Sequence, residues 1–170
     1  MSTRCNIIIK DQYDQLIFYR HSDGYPSVTL NSLCKFMQWI KEGKLRGNIE
    51  QSAGWIIALG MKEYSTTLER NEKTGHLEDI PKKDLFSPGD SANGLSWQIG
   101  SYEPSTGIHR DIEYLYTLTI DKNPNILVES VWHECKILSG NVPKYIPHKK
   151  KLGIITDFYK RYNNDVQEEK

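Results

Sequence analysis

The sequence predicts an α+β fold: a mostly antiparallel sheet of about five strands, with three helices packed mainly on one face. Three observations lead there. The chain opens with two β-rich runs joined by four polar residues. Two apolar patterns at helical spacing follow. Three further strand candidates then come in succession, with polar connections that favour antiparallel neighbours.

The opening runs are "CNIIIK" (5–10) and "QLIFYR" (15–20), with "DQYD" (11–14) between them. They read as a hairpin with a four-residue loop, a length that fixes which residues face each other. That register sets position 4 opposite position 21. After "DGYP", Leu30, Leu33, Cys34, Met37 and Ile40 recur at helical spacing until Gly43, which predicts a helix over 28–42. Ser27 and Thr29 are the candidate caps.

A second helical pattern covers 48–64, with Ile49, Ala53, Ile56, Ile57, Gly60 and Tyr64 on one face. Gly54 and Gly60 each weaken it by about 1 kcal/mol relative to alanine. A break in "SAGWIIALG", with "WIIALG" as a buried strand, therefore stays open. Residues 70–94 hold no sustained period and read as an irregular surface excursion.

The later strand candidates are "LSWQIGSY" (95–102), "DIEYLYTLTI" (111–120) and "NILVESVW" (125–132). The middle one alternates apolar with mixed residues, as a half-covered sheet requires. "NVPKYIPHKKK" reads as an extended, proline-interrupted link. Leu152, Ile155, Tyr159 and Tyr162 then predict a helix over 151–163, and 164–170 reads as a frayed tail. Residues 1–163 form one predicted domain.

Composition narrows the function classes. The chain has 170 residues, with 22 Lys plus Arg against 22 Asp plus Glu. A dedicated nucleic-acid binder usually carries a basic excess, so nucleic acid is not the expected partner. The "HKKK" run at 148–151 is offset by "QEEK" further on and reads as a solvated face. The 3 cysteines are widely spaced without a CxxC pair, which suits a reducing cytoplasm. The N-terminus lacks a secretory apolar run, and no stretch approaches the roughly 18 apolar residues of a membrane span, so no membrane association is expected. There is no GxxxxGK[ST], no GxGxxG and no zinc-ligand spacing. The expectation is accordingly no cofactor and no metal.

Chemistry-bearing residues concentrate in two stretches. "FYRHSDGYP" places Arg20, His21, Asp23 and Tyr25 within six residues, just before a helix N-terminus. Arg20 offers a planar fork to phosphate or carboxylate. The helix start adds backbone donors that favour an anion. Arg4 joins the group through the hairpin register. Turn chemistry alone also accounts for Asp23-Gly24, because glycine accepts a positive φ. The second stretch, "SYEPSTGIHRDIEYLY", carries Glu103, His109, Arg110, Asp111 and Glu113 around a Pro-Ser-Thr-Gly loop. Acid–base work by Glu103 or Asp111 with His109 is chemically open, and hairpin loops carry the same residue types routinely.

Two resemblances follow from these residues. Ser2 followed by strand, hairpin, strand and then Arg20-x-x-Asp23 resembles the start of N-terminal-nucleophile hydrolases of the choloylglycine type. That family begins with Cys where this chain has Ser after removal of Met1, and the likeness covers only the first two dozen residues. It implies a hydrolase with Ser2 as nucleophile and Arg20 and Asp23 as positioning groups.

The combination "MSTRCNIIIKD", "FYRHSDGYPSV", "SAGWIIALG" and "YEPSTGIHRDIEYLYTLTID" is similar to small bacteriophage and prophage proteins. These share an M-[SG]-T-R start and a DGYP turn, and the similarity spans roughly 1–120. It implies a phage or mobile-element origin and a host-cytoplasm location, and it transfers no catalytic residue. The leading expectation is a binding protein, with Arg4, Arg20, His21, Asp23 and Tyr25 holding a small anionic or nucleotide ligand. A host defence protein is the other partner class, and a homodimer is the base-rate assembly.

Overall fold

The computed structural model describes residues 3–63, 66–70, 72–81, 102–137, 140 and 142–162. The order is β1 (Cys5–Lys10), β2 (Gln15–Arg20), α1 (Pro26–Lys41), α2 (Ile49–Glu63), β3 (Thr66–Arg70), β4 (Leu77–Pro81), β5 (Glu103–Ser105), β6 (Tyr114–Thr119), β7 (Asn125–Ile137) and β8 (Pro143–Ile155). The class is α+β, as the periodicities predict. The sheet is mixed rather than purely antiparallel, with six strands in the order β5-β2-β1-β6-β7-β8. β1 and β6 run parallel at its centre, and the other pairings are antiparallel.

The first hairpin forms as expected because Asp11 builds its loop. The Asp11 carboxylate accepts the amides of Tyr13 at 2.8 Å and Asp14 at 2.9 Å. The Asp11 amide then donates to the Asp14 carbonyl at 3.1 Å. Such an aspartate turn closes a tight loop and locks the register behind it. Cys5 stands opposite Arg20 and Lys10 opposite Gln15.

α1 begins two residues earlier than the apolar spacing indicates, since Pro26 suits a first turn that lacks amide partners anyway. Neither Ser27 nor Thr29 caps it. Tyr25 is the N-cap, with extended backbone and no side-chain cap bond. Gly43 ends the turn region at φ 68°. α2 runs unbroken through "SAGWIIALG", so the strand alternative is not what forms. A Cβ at Gly60 would lie 2.8 Å from the Tyr102 ring, so glycine there permits close packing rather than a break.

One face of the sheet carries the main core. Cys5, Ile7 and Ile9 of β1, Tyr116 and Leu118 of β6 and Ile126 and Val128 of β7 pack with Leu30, Leu33, Phe36 and Met37 of α1 and Ile56 of α2. The opposite face holds a smaller cluster of Tyr19, Ile112, Leu115 and Val131. Ile112 belongs to this outer cluster, not to the helix-covered face.

The predicted helix over 151–163 does not form. Residues 143–155, which take in positions 143–151 of the supposed link, make the edge strand β8, paired with β7 along its length. Two helices, not three, occur among the described residues. Beyond β8, Phe158 still reaches the core at 1% exposure, and Leu152 and Tyr162 pack against it. The apolar spacing is thus satisfied by a strand end and a following turn. Part of the 70–94 segment is regular, since β3 and β4 form a hairpin. Residues 82–94, positions 95–101 of the strand predicted over 95–102 and the tail at 164–170 lie outside the described residues. Among the described residues no helix is long and apolar enough to cross a membrane.

Candidate functional site

The hairpin register brings the start of the chain to the "DGYP" bend. The Gly24 amide donates to the Thr3 carbonyl at 2.9 Å. Tyr116, buried in the core, donates its hydroxyl to the Gly24 carbonyl at 2.8 Å. A Cβ on Gly24 would stand 2.9 Å from the Arg4 carbonyl carbon and the Cys5 nitrogen. Glycine is therefore needed for close backbone approach. The positive φ of the turn belongs to Asp23, at 56°, not to Gly24. The Asp23 carbonyl accepts from the Thr29 hydroxyl at 2.9 Å, and the Tyr25 carbonyl accepts the Thr29 amide at 3.0 Å. Asp23 and Tyr25 thus serve the bend through their backbones.

Alternation along the strands then sorts the side chains onto two faces. Cys5 and Arg20 face the helices, while Asn6 and Tyr19 face outward. Continuing that register places Arg4 and His21 outward together. Arg20 is 0% exposed. Its Nε donates to the Ser22 carbonyl at 2.9 Å and one terminal nitrogen donates to the Tyr102 hydroxyl at 2.8 Å. Tyr102 in turn hydrogen-bonds Ser32 of α1, and its ring lies 5.1 Å from the guanidinium. Arg20 anchors β2, the segment at Tyr102 and α1 to one another. It does not reach the outer surface with His21.

The outer corner is built from both stretches that the sequence singles out. Tyr19 pairs with Glu103 across β2 and β5, and Ile17 pairs with Ser105, so the 105–113 loop folds over the same face. Asn6, fully buried, fastens it: the Asn6 side chain donates to the Phe18 carbonyl at 2.8 Å and accepts the His109 amide at 2.7 Å. The His109 ring then stacks on Tyr19, with centroids 3.9 Å apart. The Tyr19 hydroxyl lies 3.3 Å from His21 Nδ1 and 3.3 Å from an Asp111 carboxylate oxygen. That oxygen also meets the Arg4 guanidinium at 3.1 Å. Burial, and next the negative charge of Asp111, push the Tyr19 phenol up to about 12. It stays a protonated donor through the neutral range.

Arg4, His21 and Tyr19 therefore meet His109 and Asp111, whereas Arg20 lies under the other face. Among the described residues, Arg4 Nε is a buried nitrogen without a hydrogen-bond partner. The role of Tyr19 was not singled out from sequence, although its odd–even position relative to Arg20 would have placed it beside Arg4.

Ser105, His109 and Asp111 have the order of a nucleophile–base–acid relay. His109 Nε2 lies 3.0 Å from the Ser105 hydroxyl, but the other ring nitrogen is 4.0 Å from Asp111, beyond a hydrogen bond. Ser105 donates its single proton to the Gly107 carbonyl at 2.7 Å. His109 Nε2 must then be the donor to Ser105, which is the wrong tautomer for a base. The arrangement orders the loop and leaves the imidazole oriented beside Arg4 and Tyr19. Among the described residues no three metal-ligating side chains converge. Ser2, the nucleophile of the hydrolase alternative, lies outside the described residues.

No family model, no curated protein and no solved structure matches this chain.

Proposed function

We propose that this chain is a binding protein whose ligand is a small anion of phosphate type, such as a nucleotide. Arg4, His21 and His109 would hold it at the outer corner, with Tyr19 as wall and donor. The phage-type reading fits this role, with the protein sequestering such a ligand in the host cytoplasm. The observation that carries the proposal is the Arg4 guanidinium. It meets one carboxylate oxygen at a surface corner, its Nε has no partner, and two imidazoles border the same phenol. A planar guanidinium binds two oxygens of one phosphate in parallel.

Asp111 currently occupies that fork, with side chains 34% and 46% exposed for Arg4 and Asp111. A partly exposed pair of this kind contributes about 1 kcal/mol or less, so an incoming phosphate displaces it at little cost. Asp111 acts as a placeholder that keeps Arg4 extended across the corner. The non-enzymatic choice rests on Ser105, whose proton is already committed to its own loop.

The test is a calorimetric titration of the purified chain with inorganic pyrophosphate and with AMP. Saturable binding of at least one of them is expected, weakened about tenfold or more in Arg4→Ala, as loss of a charge-assisted pair predicts. The absence of binding to both, or equal affinity in Arg4→Ala, overturns the proposal.

A further inference from the structure

The zero net charge of the chain hides an uneven distribution. Between residues 129 and 151 there are five lysines (136, 144, 149, 150 and 151) against two glutamates, Glu129 and Glu134. The remaining chain holds 17 basic and 20 acidic residues, so the excess belongs to this segment. The segment also has a particular shape. β6 pairs with β7 only from Asn125 to Ser130, whereas β7 continues to Ile137 with β8 as its partner. Residues 131–137 and 143–149 thus form a two-stranded ribbon projecting past the sheet, by about 20 Å at roughly 3.3 Å per residue.

We infer that this basic β-ribbon is a docking element for double-stranded nucleic acid. A groove of a duplex admits a two-stranded ribbon, and lysines along both of its sides meet the phosphate rails. One ribbon face carries Trp132, Lys136, Lys144 and His148, and Lys150 continues that face at the ribbon's root, opposite Ser130; Glu134 is held between His148 at 3.0 Å and Lys136 at 3.6 Å. Trp132 stacks on His148 with centroids 5.5 Å apart and remains 48% exposed. At the far end Ile137 and Val142 are 75% and 69% exposed, as apolar groups that lodge against base edges are.

Other occupants fit less well. A second copy, or a protein partner adding a strand to β8, needs a continuous row of edge amides. Pro143 and Pro147 remove two, and the lysine run protects the edge further. A single strand calls for successive open aromatic faces. The Trp132 ring is already covered on one side by His148.

Fluorescence polarisation decides between these. The probes are a short labelled DNA duplex, its separated strand and a polyglutamate of similar charge. The duplex is expected to bind at low salt, with affinity falling steeply as salt rises. The double variant Lys144→Glu/Lys150→Glu should weaken binding by about tenfold or more and reduce the salt slope by roughly 2. Lys10→Glu/Lys122→Glu makes the same charge change on exposed lysines at the other end of the sheet, and should leave affinity within about twofold. Lys144→Gln/Lys150→Gln should move affinity in the same direction by a smaller factor, which separates charge loss from ribbon damage. The inference is overturned by the absence of duplex binding, by equal losses in the two Lys→Glu double variants, or by binding to the single strand or polyglutamate as tight as to the duplex.

Discussion

The Arg20 guanidinium lies between β2 and the helices, donating to the Ser22 carbonyl and the Tyr102 hydroxyl with no exposure to water. His21, the next residue, borders the outer corner through the Tyr19 hydroxyl. Consecutive strand residues point to opposite faces, so two side chains that look like one site in the sequence are divided by the sheet. This division predicts an inverted ranking of two arginine variants. Arg20→Ala leaves a cavity and strips the Tyr102 hydroxyl of a donor, which should cost about 3 kcal/mol in urea unfolding. Arg4→Ala removes a partly exposed ion pair and should cost less, about 1 kcal/mol. A smaller loss for Arg20→Ala than for Arg4→Ala would contradict the placement. The corner itself was partly legible: loop length set Arg4 opposite His21, and His109 and Asp111 stood out as a dense stretch. Their meeting with Arg4 was not legible, because it depends on β2 pairing with β5 and on the buried Asn6 clamp, both long-range contacts.

At the level of elements, the first hairpin and both helices were readable because their signals are local. Asp11 closes its own loop, and the apolar stripes of α1 and α2 repeat at helical spacing. β8 was missed for a physical reason. Pro143, Pro147 and three consecutive lysines argue against a central strand, yet they are the marks of an edge strand. The parallel pairing of β1 with β6 joins segments more than a hundred residues apart, and no local pattern encodes it. The "DGYP" bend is where local and distant demands meet. Asp23 takes the left-handed conformation, and Gly24 lets the bend touch the backbone of Arg4 and Cys5. Gly24→Ala should therefore destabilise the fold by about 2 kcal/mol or more, since the obstructing atoms are backbone rather than a flexible side-chain end. A thermal midpoint equal to wild type would show that the bend does not pack as described.

Across the whole molecule, one end of the sheet gathers the features on which both proposals rest. The outer corner at Arg4 and the root of the β7–β8 ribbon adjoin there. The Glu113 amide donates to the Arg4 carbonyl at 2.9 Å, and the Val131 amide donates to the Glu113 carbonyl at 2.8 Å. The opposite face is closed by two helices and a continuous apolar core. A total charge of zero concealed this arrangement, because charge balance over a chain says nothing about its distribution over a surface. In the proposed reading the outer corner, not the buried Arg20, receives an anion. The most direct test is an amide chemical-shift titration of the isotope-labelled chain with inorganic pyrophosphate. The account predicts saturating shifts at Asn6, His21, His109 and Asp111, with the amides of α2 unmoved. Shifts confined to other parts of the molecule, or none at the corner at saturating ligand, would contradict it.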